Sequence, residues 1–411
     1  MNFPTTKLKW VATTTAGGTP SVAEPSFWSD DDEEGLPWVS IGDMSGRAWV
    51  TTTGRRVTSA GVSAARLPVG DPGTLLLSMY ASLGHTAFLT TRATWNQAIL
   101  GINVSPSHEV RFIKYALEAI KPTLTEFARS NTQANLNAEQ VGNLVLPEPP
   151  RDSQRRIADF LDKEIARTDR IVDSQVRLIS LLKEREATAV EVALSEVATG
   201  SVRLKHLLVA PPSYGANEPA ENVRRDWPRY IRTTDIDEDG SLREETFASL
   251  PPEVAGRYLL NHGDILFVRS GATTGKAFVY ENHRGPAAHA GYLIKARMDQ
   301  HMMLPRLVWH FCQTRAYWQQ ISEGTVQSTI QNVNAEKYGN LLIPWIEPSR
   351  QEATLQQIDS VVRRSRKLQE RARQLLSVLA ERRQALITAA VTGQFDVSTA
   401  SGRNVTEGVT V

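Results

Sequence analysis

The sequence predicts an α+β fold written twice: two globular domains, two long antiparallel helices forming a coiled-coil-like stalk between them, and a pseudo-two-fold internal repeat. Three observations predict it. Short motifs recur in the same order in both halves. Two segments of about forty residues carry neither proline nor glycine. The remaining stretches break into short β-type runs separated by turn residues.

The repeat is the strongest signal. "SNTQANLNAEQVGNLVLPEPPRDSQ" (Ser130–Gln154) matches "GTVQSTIQNVNAEKYGNLLIPWIEPSRQ" (Gly324–Gln351). Asn137-Ala-Glu aligns with Asn334-Ala-Glu, Gly142-Asn-Leu with Gly339-Asn-Leu, Pro147 with Pro344 and Gln154 with Gln351, each 197 residues apart. Upstream, "DPGTLLLSMYASLGHTAFLT" echoes "NHGDILFVRSGATTGKAFVY" at an offset near 190. "TLLLSMYA" and "DILFVRS" read as strands, apolar and opened by Gly73 and Gly263.

Each half therefore has a globular part, residues 1–150 and 201–348, and a helical part, residues 151–200 and 349–393. In the first helical part Ile157, Leu161, Ile165, Val172, Val176, Ile179, Leu182, Val190 and Val197 fall mostly three or four apart. In the second, Ile358, Val361, Leu368, Ala372, Leu375, Leu379 and Leu386 form a near-heptad seam. Prolines precede both starts, and Gly200 and Gly393 follow both ends. A helix of forty residues is about 60 Å long, and its narrow apolar seam needs a partner. The economical partner is the other helix, antiparallel, which sends the globular domains to opposite ends. The polar tail, residues 394–411, lacks periodicity and is expected to be disordered.

Net charge is +1, so any nucleic-acid contact must rest on local positive charge. A single cysteine, Cys312, excludes an internal disulfide and a cysteine metal cage. No apolar run has signal-peptide or membrane-span length. These features suit a cytoplasmic protein without a membrane partner.

Three motifs suggest chemistry and fail on inspection. "FVRSGATTGK" (Phe267–Lys276) resembles a phosphate-cradling loop, but Gly271 and Gly275 enclose three residues instead of four and Ala277 replaces the needed hydroxyl. "DIDEDG" (Asp235–Gly240) opens like a calcium loop, but Thr246 stands where the closing glutamate belongs; a turn is the better reading. "APPSY" (Ala210–Tyr214) lacks the Asn or Asp that begins an amino-methyltransferase motif. Neither a glycine-rich cofactor loop nor histidines at metal-ligand spacing appear.

"LPEPPRDSQRRIADFLDKEIARTDRIVDSQVRLISLLKER" and "IPWIEPSRQ…LLSVLAERRQALITAAVTGQFDV" resemble the two helical regions of type I restriction–modification specificity subunits. "GGTPS", "LPWVSIGDM" and "NQAI" resemble the first target-recognition domain of that family, and "YIRTTDIDEDG" with "GDILFVRSGATTGKA" the second. The resemblance implies a subunit without catalysis that reads double-stranded DNA with a bipartite target and docks two modification subunits. It implies no cofactor on this chain: S-adenosylmethionine belongs to the methyltransferase partners, and ATP and Mg to the restriction and translocase subunits. The architecture agrees, since unlike domains about 60 Å apart span close to two turns of B-DNA. A coiled-coil adaptor with two protein-binding heads, and an enzyme of methyltransferase type, are the other readings of the same chain.

The candidate DNA contacts are chosen by chemistry. Arg269 suits guanine, Ser270 and Thr273 suit base edges or phosphate, and Lys276 suits phosphate. The twin loop offers Ser78, Tyr80, Ser82 and His85. Thr132, Gln133 and Asn135, with Gln327, Ser328 and Gln331, form polar stretches ahead of the helices; Gln and Asn suit adenine, and the same residues are ordinary turn formers. Arg55 and Arg56, and Arg232 and Arg243 beside the second domain's first strand, are candidate phosphate contacts. Each loop is equally compatible with a plain strand–turn–strand carrying solvated polar groups.

Overall fold

The computed structural model describes residues 3–29, 31, 34–80, 82–130, 135–237, 240–281, 285–323 and 332–399. It divides into two compact units, Met1–Gln175 with Gln374–Val411, and Val176–Arg373.

In the first unit a five-stranded sheet has the spatial order Ala12–Ala16, Ile99–Val104, Leu75–Ser78, Thr86–Leu89 and Trp49–Val50. The first four pair antiparallel and the last joins in parallel. Leu75–Ser78 is buried throughout because both faces are covered. Leu75 and Leu77 pack with Phe112, Ile113 and Leu117 of the helix Val110–Ser130. Leu76 points the other way, into Val39, Met44 and Trp95, as the two-residue period of a strand requires.

The second unit repeats the plan. Its sheet runs Ser213–Tyr214, Leu293–Ala296, Ile265–Val268 and Ala277–Val279, all antiparallel. Ile265 and Phe267 pack with Leu307, Phe311, Tyr317 and Tyr338, while Leu266 and Val268 face Ile231 and Phe278. Each unit also carries an antiparallel ribbon, Thr5–Lys7 with Val145–Pro147 and Gly200–Arg203 with Leu342–Trp345. Asn137 and Asn334 cap short helices in the same way, each accepting an N–H three residues on at 2.8 Å.

The long helices are Arg151–Val197, of 47 residues, and Pro348–Thr392, of 45 residues. They pair antiparallel in each unit taken separately. In the first, Ile157, Leu161 and Ile165 share a core with Leu386, Ile387 and Ala390, and Arg383 bonds Asp169 at 3.0 Å. In the second, Val190 and Leu194 share a core with Ile358 and Val362, and Gln369 donates to Glu186 at 3.3 Å. No helix among the described residues is long and apolar enough to cross a membrane.

Two expectations need correction. The buried stripe of the second long helix runs through Ile358, Val362, Ser365, Gln369, Ala372, Leu379 and Leu386, whereas Val361, Leu368 and Leu375 are exposed. The stripe keeps the heptad spacing, with steps of four, three and seven residues; what the expectation missed is that Ser365 and Gln369 take seam positions by hydrogen bonding while apolar residues beside them face outward. The expected tail also begins later than residue 394. Phe395 lies 5.6 Å from the Phe160 ring, and Val397–Thr399 forms a short turn closed by Asp396. An aromatic side chain with a core edge to cover outweighs the polar composition around it. Residues 400–411 lie outside the described residues.

Candidate nucleic-acid interface

The loop that resembles a phosphate cradle is a hairpin turn. Gly275 N–H donates to Val268 O at 3.0 Å, Val268 N–H to Lys276 O at 2.9 Å, and the chain then continues as the strand Ala277–Val279. A phosphate cradle needs a helix N-terminus there, so the resemblance to a phosphate-cradling loop fails on topology as well as spacing. Gly271 and Gly275 both adopt positive φ, at 95° and 91°, which is why glycine stands at both. The twin loop closes alike, with Gly84 N–H on Ser78 O at 3.0 Å and Ser78 N–H on His85 O at 2.9 Å. The frame is shared and the side chains differ.

In the second unit Arg269 begins this loop. Its guanidinium carbon lies 4.8 Å over the Tyr214 ring. Ser270 is half-buried and bridges to Asn332, and Lys276 is exposed. Thr273 and Lys276 line a pocket of about 130 Å³ with Trp309, Gln313 and Trp318. Arg243 is exposed, and its guanidinium makes no hydrogen bond among the described residues.

In the first unit Tyr80 and Ser82 are exposed at the loop, and Ser82 has a positive φ of 60°. His85 donates from Nε2 to Met44 O at 2.7 Å. Ser82 and His85 line a groove of about 680 Å³ with Arg47, Lys121, Asp169 and Arg383. Arg55 is exposed and stacks 4.7 Å over Trp28. Asn135 is exposed; Thr132, Gln133, Gln327, Ser328 and Gln331 lie outside the described residues.

Three candidates are corrected by their surroundings. Ser78 is fully buried and its hydroxyl donates to Tyr80 O at 3.0 Å, so it shapes the loop and cannot reach a base. Arg56 donates to the carbonyls of Glu34 and Gly35 at 2.9 and 2.7 Å, holding the chain just ahead of the strand Leu36–Val39. Arg232 donates twice to the buried Asp235, at 3.0 and 2.8 Å, and once to Thr246 O. Both arginines serve the local fold. The same contact explains "DIDEDG": Asp235 is directed at Arg232, and Asp237 accepts from Ser241 N–H at 2.8 Å as a turn residue does.

Sequence reasoning missed two tyrosines. Tyr214 and Tyr292 both adjoin Arg269, the first through its ring and the second through its carbonyl, which accepts Arg269 N–H at 3.0 Å. Tyr292 is 63% exposed. Neither lies near Arg269 in sequence; the pairing of Leu293–Ala296 with both Ile265–Val268 and Ser213–Tyr214 brings the three together.

Comparison with known proteins fits this architecture. Residues 3–175 match the family model of the type I restriction modification DNA specificity domain. The chain is 23% identical over 161 residues to a type I restriction enzyme specificity subunit of Methanocaldococcus jannaschii, a match covering 38% of this chain and 36% of that protein. It is 24% identical over 178 residues to one of Escherichia coli, covering 41% of this chain and 42% of that protein. The chain thus spans little more than a third and about two fifths of those two relatives. A solved chain from a study of complex assembly and conformational transition of the type I R-M system aligns over 96% of this chain and 98% of that one, with TM-score 0.64 at 16% identity, which shows a shared fold.

Proposed function

We infer, for a chain whose residues 3–175 match the type I restriction modification DNA specificity domain, that each of its two domains reads one half of a bipartite DNA target. One observation carries this reading: the hairpin loops at Ser78–His85 and Val268–Lys276 close with the same backbone hydrogen bonds yet present unlike side chains. A common frame with different chemistry suits two unlike half-sites better than it suits a repeated catalytic device. Major-groove entry supplies the base discrimination, and the paired helices would set the length of the unread centre. Arg55, Arg243 and Lys276 are suited to phosphate, and Tyr80, Ser82, His85, Ser270 and Thr273 to base edges or sugar.

The outer helix faces support the docking of modification subunits. Within the second unit, Leu368 is 43% exposed on one helix, and Val176 and Leu181 are 54% and 52% exposed on the other. Apolar side chains at such spacing fit a protein partner. Methyl transfer from S-adenosylmethionine, and ATP-driven translocation and cleavage, would then belong to partners.

Mapping modified adenines across the host genome tests the reading. The expected result is a motif in two unlike parts with a fixed unread centre; a continuous or palindromic motif would count against it. Binding should also weaken steeply with salt through counterion release. An adaptor that binds only proteins would show no retention of duplex DNA at any salt.

A further inference from the structure

The two domains build one backbone socket and fill it differently. Met79 N–H donates to Ala98 O at 2.8 Å, and Met79 O accepts Leu136 N–H at 3.0 Å. Arg269 N–H donates to Tyr292 O at 3.0 Å, and Arg269 O accepts Val333 N–H at 2.8 Å. Positions 79 and 269 are therefore the same place in the repeat. In the first domain that place holds a core side chain, Met79, which packs with Leu100 and Leu136. In the second it holds a cation.

Placing an arginine where the fold accommodates a buried methionine is costly without acceptors. The Arg269 Nε is buried and has no hydrogen-bond partner among the described residues. What Arg269 does have is the Tyr214 face, 4.8 Å from its guanidinium carbon. Tyr214 is itself tethered, its hydroxyl accepting Ala335 N–H at 3.2 Å. Stacking fixes the plane of the guanidinium without using its N–H groups. The result is a guanidinium restrained against a ring while its Nε donor stays without a partner among the described residues. A planar pair of donors held in one orientation matches the O6 and N7 of guanine, whereas a phosphate contact needs no such restraint.

We propose that Arg269 reads a guanine in the half-site of the second domain, with Tyr214 as the residue that positions it, and that the first domain makes no equivalent contact because Met79 fills its socket. This rests on the DNA-reading function proposed above. It adds a defined base, a defined residue and an asymmetry between half-sites.

The test is selection of a randomised duplex library by the full chain, with whatever modification subunits copurify, followed by sequencing. If the wild-type chain enriches no two-part motif, the DNA-reading function itself fails, and the outcome for Arg269 is separate from that. Given a motif, Arg269→Met supplies the side chain the first domain already accommodates. It should reduce preference for one guanine in one half-site by roughly tenfold to a hundredfold, leaving the other half-site intact. Arg269→Lys keeps the charge but not the fork and should lose the same preference. Tyr214→Phe keeps the ring and should retain it; Tyr214→Ala should lose it. An unchanged motif with Arg269→Met, or a uniform weakening for all sequences, would overturn the proposal. Should the methionine variant fail to fold, Arg269→Lys with an unchanged guanine preference would overturn it equally.

Discussion

His310 donates its Nε2 proton to Asp359 at 3.0 Å, and at the matching place in the first repeat Tyr115 donates its phenol to Asp162 at 2.5 Å. Arg306 and Arg111 complete the two clamps, at 3.2 and 2.6 Å from the same carboxylates. Each clamp ties a domain helix to a long helix, but only one contains a histidine. Burial pushes His310 down to about 4 despite the pull of Asp359, with Arg306 and Arg366 adding to the fall. Burial also raises the Tyr115 phenol, as does Asp162, so it stays protonated.

Acid should therefore destabilise the second unit. A folded-state value below the ordinary 6.5 means the contribution is complete above pH 6.5 and is lost as pH falls towards 4. His289, also lowered to about 4 by burial first and Lys295 among the lesser causes, acts in the same direction and the same unit. The expected loss between pH 8 and pH 5 is about 2 kcal/mol per histidine. Urea unfolding followed by hydrogen exchange on peptides from each unit would measure it. His310→Tyr, which borrows the first clamp's residue, should roughly halve the pH dependence and leave the part due to His289; an equally steep slope in that variant would refute the assignment.

Gln154 and Gln351 offer a second forecast. Gln351 donates from Nε2 to Met302 O and Ile346 O at 2.7 and 2.9 Å, and its Oε1 accepts Leu304 N–H at 2.8 Å. Gln154 likewise donates to Pro149 O and accepts Glu109 N–H, both at 2.9 Å. Both side chains are buried, and each joins the first turn of a long helix to the chain entering it. Leucine at either position leaves buried backbone groups without partners, at a cost of about 1–3 kcal/mol. The exposed Gln356 supplies the control, where leucine should change stability by less than about 0.5 kcal/mol. Equal denaturation midpoints for Gln351→Leu and Gln356→Leu would show that these hydrogen bonds contribute nothing net.

The repeat, the long helices and the strand–turn–strand loops were all legible in the sequence, because each leaves a local signature: matching words, absent breakers, paired glycines. The fate of individual polar side chains was not. Arg56 and Arg232 have the same composition-level signature as Arg243, yet their donors go to Gly35 O and Asp235 while Arg243 points to solvent. Those partners are set by chain reversals that no residue type announces. Ser78 was misjudged for the same reason: a strand buried on both faces looks like any apolar run until the helix Val110–Ser130 and the Trp95 cluster close over it. Tyr214 escaped notice because it meets Arg269 only through the sheet.

The glycines of the second loop separate two kinds of constraint. A Cβ on Gly275 would meet Trp318 Cζ3 at 2.7 Å and Ile321 Cγ2 at 3.1 Å, in addition to the positive φ; a Cβ on Gly271 would meet nothing within 4 Å. Gly271→Ala should cost only the backbone strain, about 1–2 kcal/mol. Gly275→Ala should cost more, since it also displaces Trp318 from the pocket beside Lys276. Thermal unfolding of the two variants decides the matter, and the order reversed would contradict the packing described.

The proposed spacing role of the helices makes the sharpest geometric forecast. From Gln154 to Gly200 the chain has four more residues than from Gln351 to Gly393 (46 against 42). Four residues are about one helical turn, or roughly 6 Å. Residues 188–191 belong to the first long helix, where Val190 is buried and Thr188 is exposed, so removing them shortens the helix while nearly restoring the register of its apolar face. The unread centre of the target should then change by about 2 base pairs, at roughly 3.4 Å each, with both half-sites keeping their bases. Selection from a randomised duplex library reads the centre directly. A centre of unchanged length in a folded deletion variant would mean that the helices do not measure the gap, and that linker or DNA flexibility sets it instead.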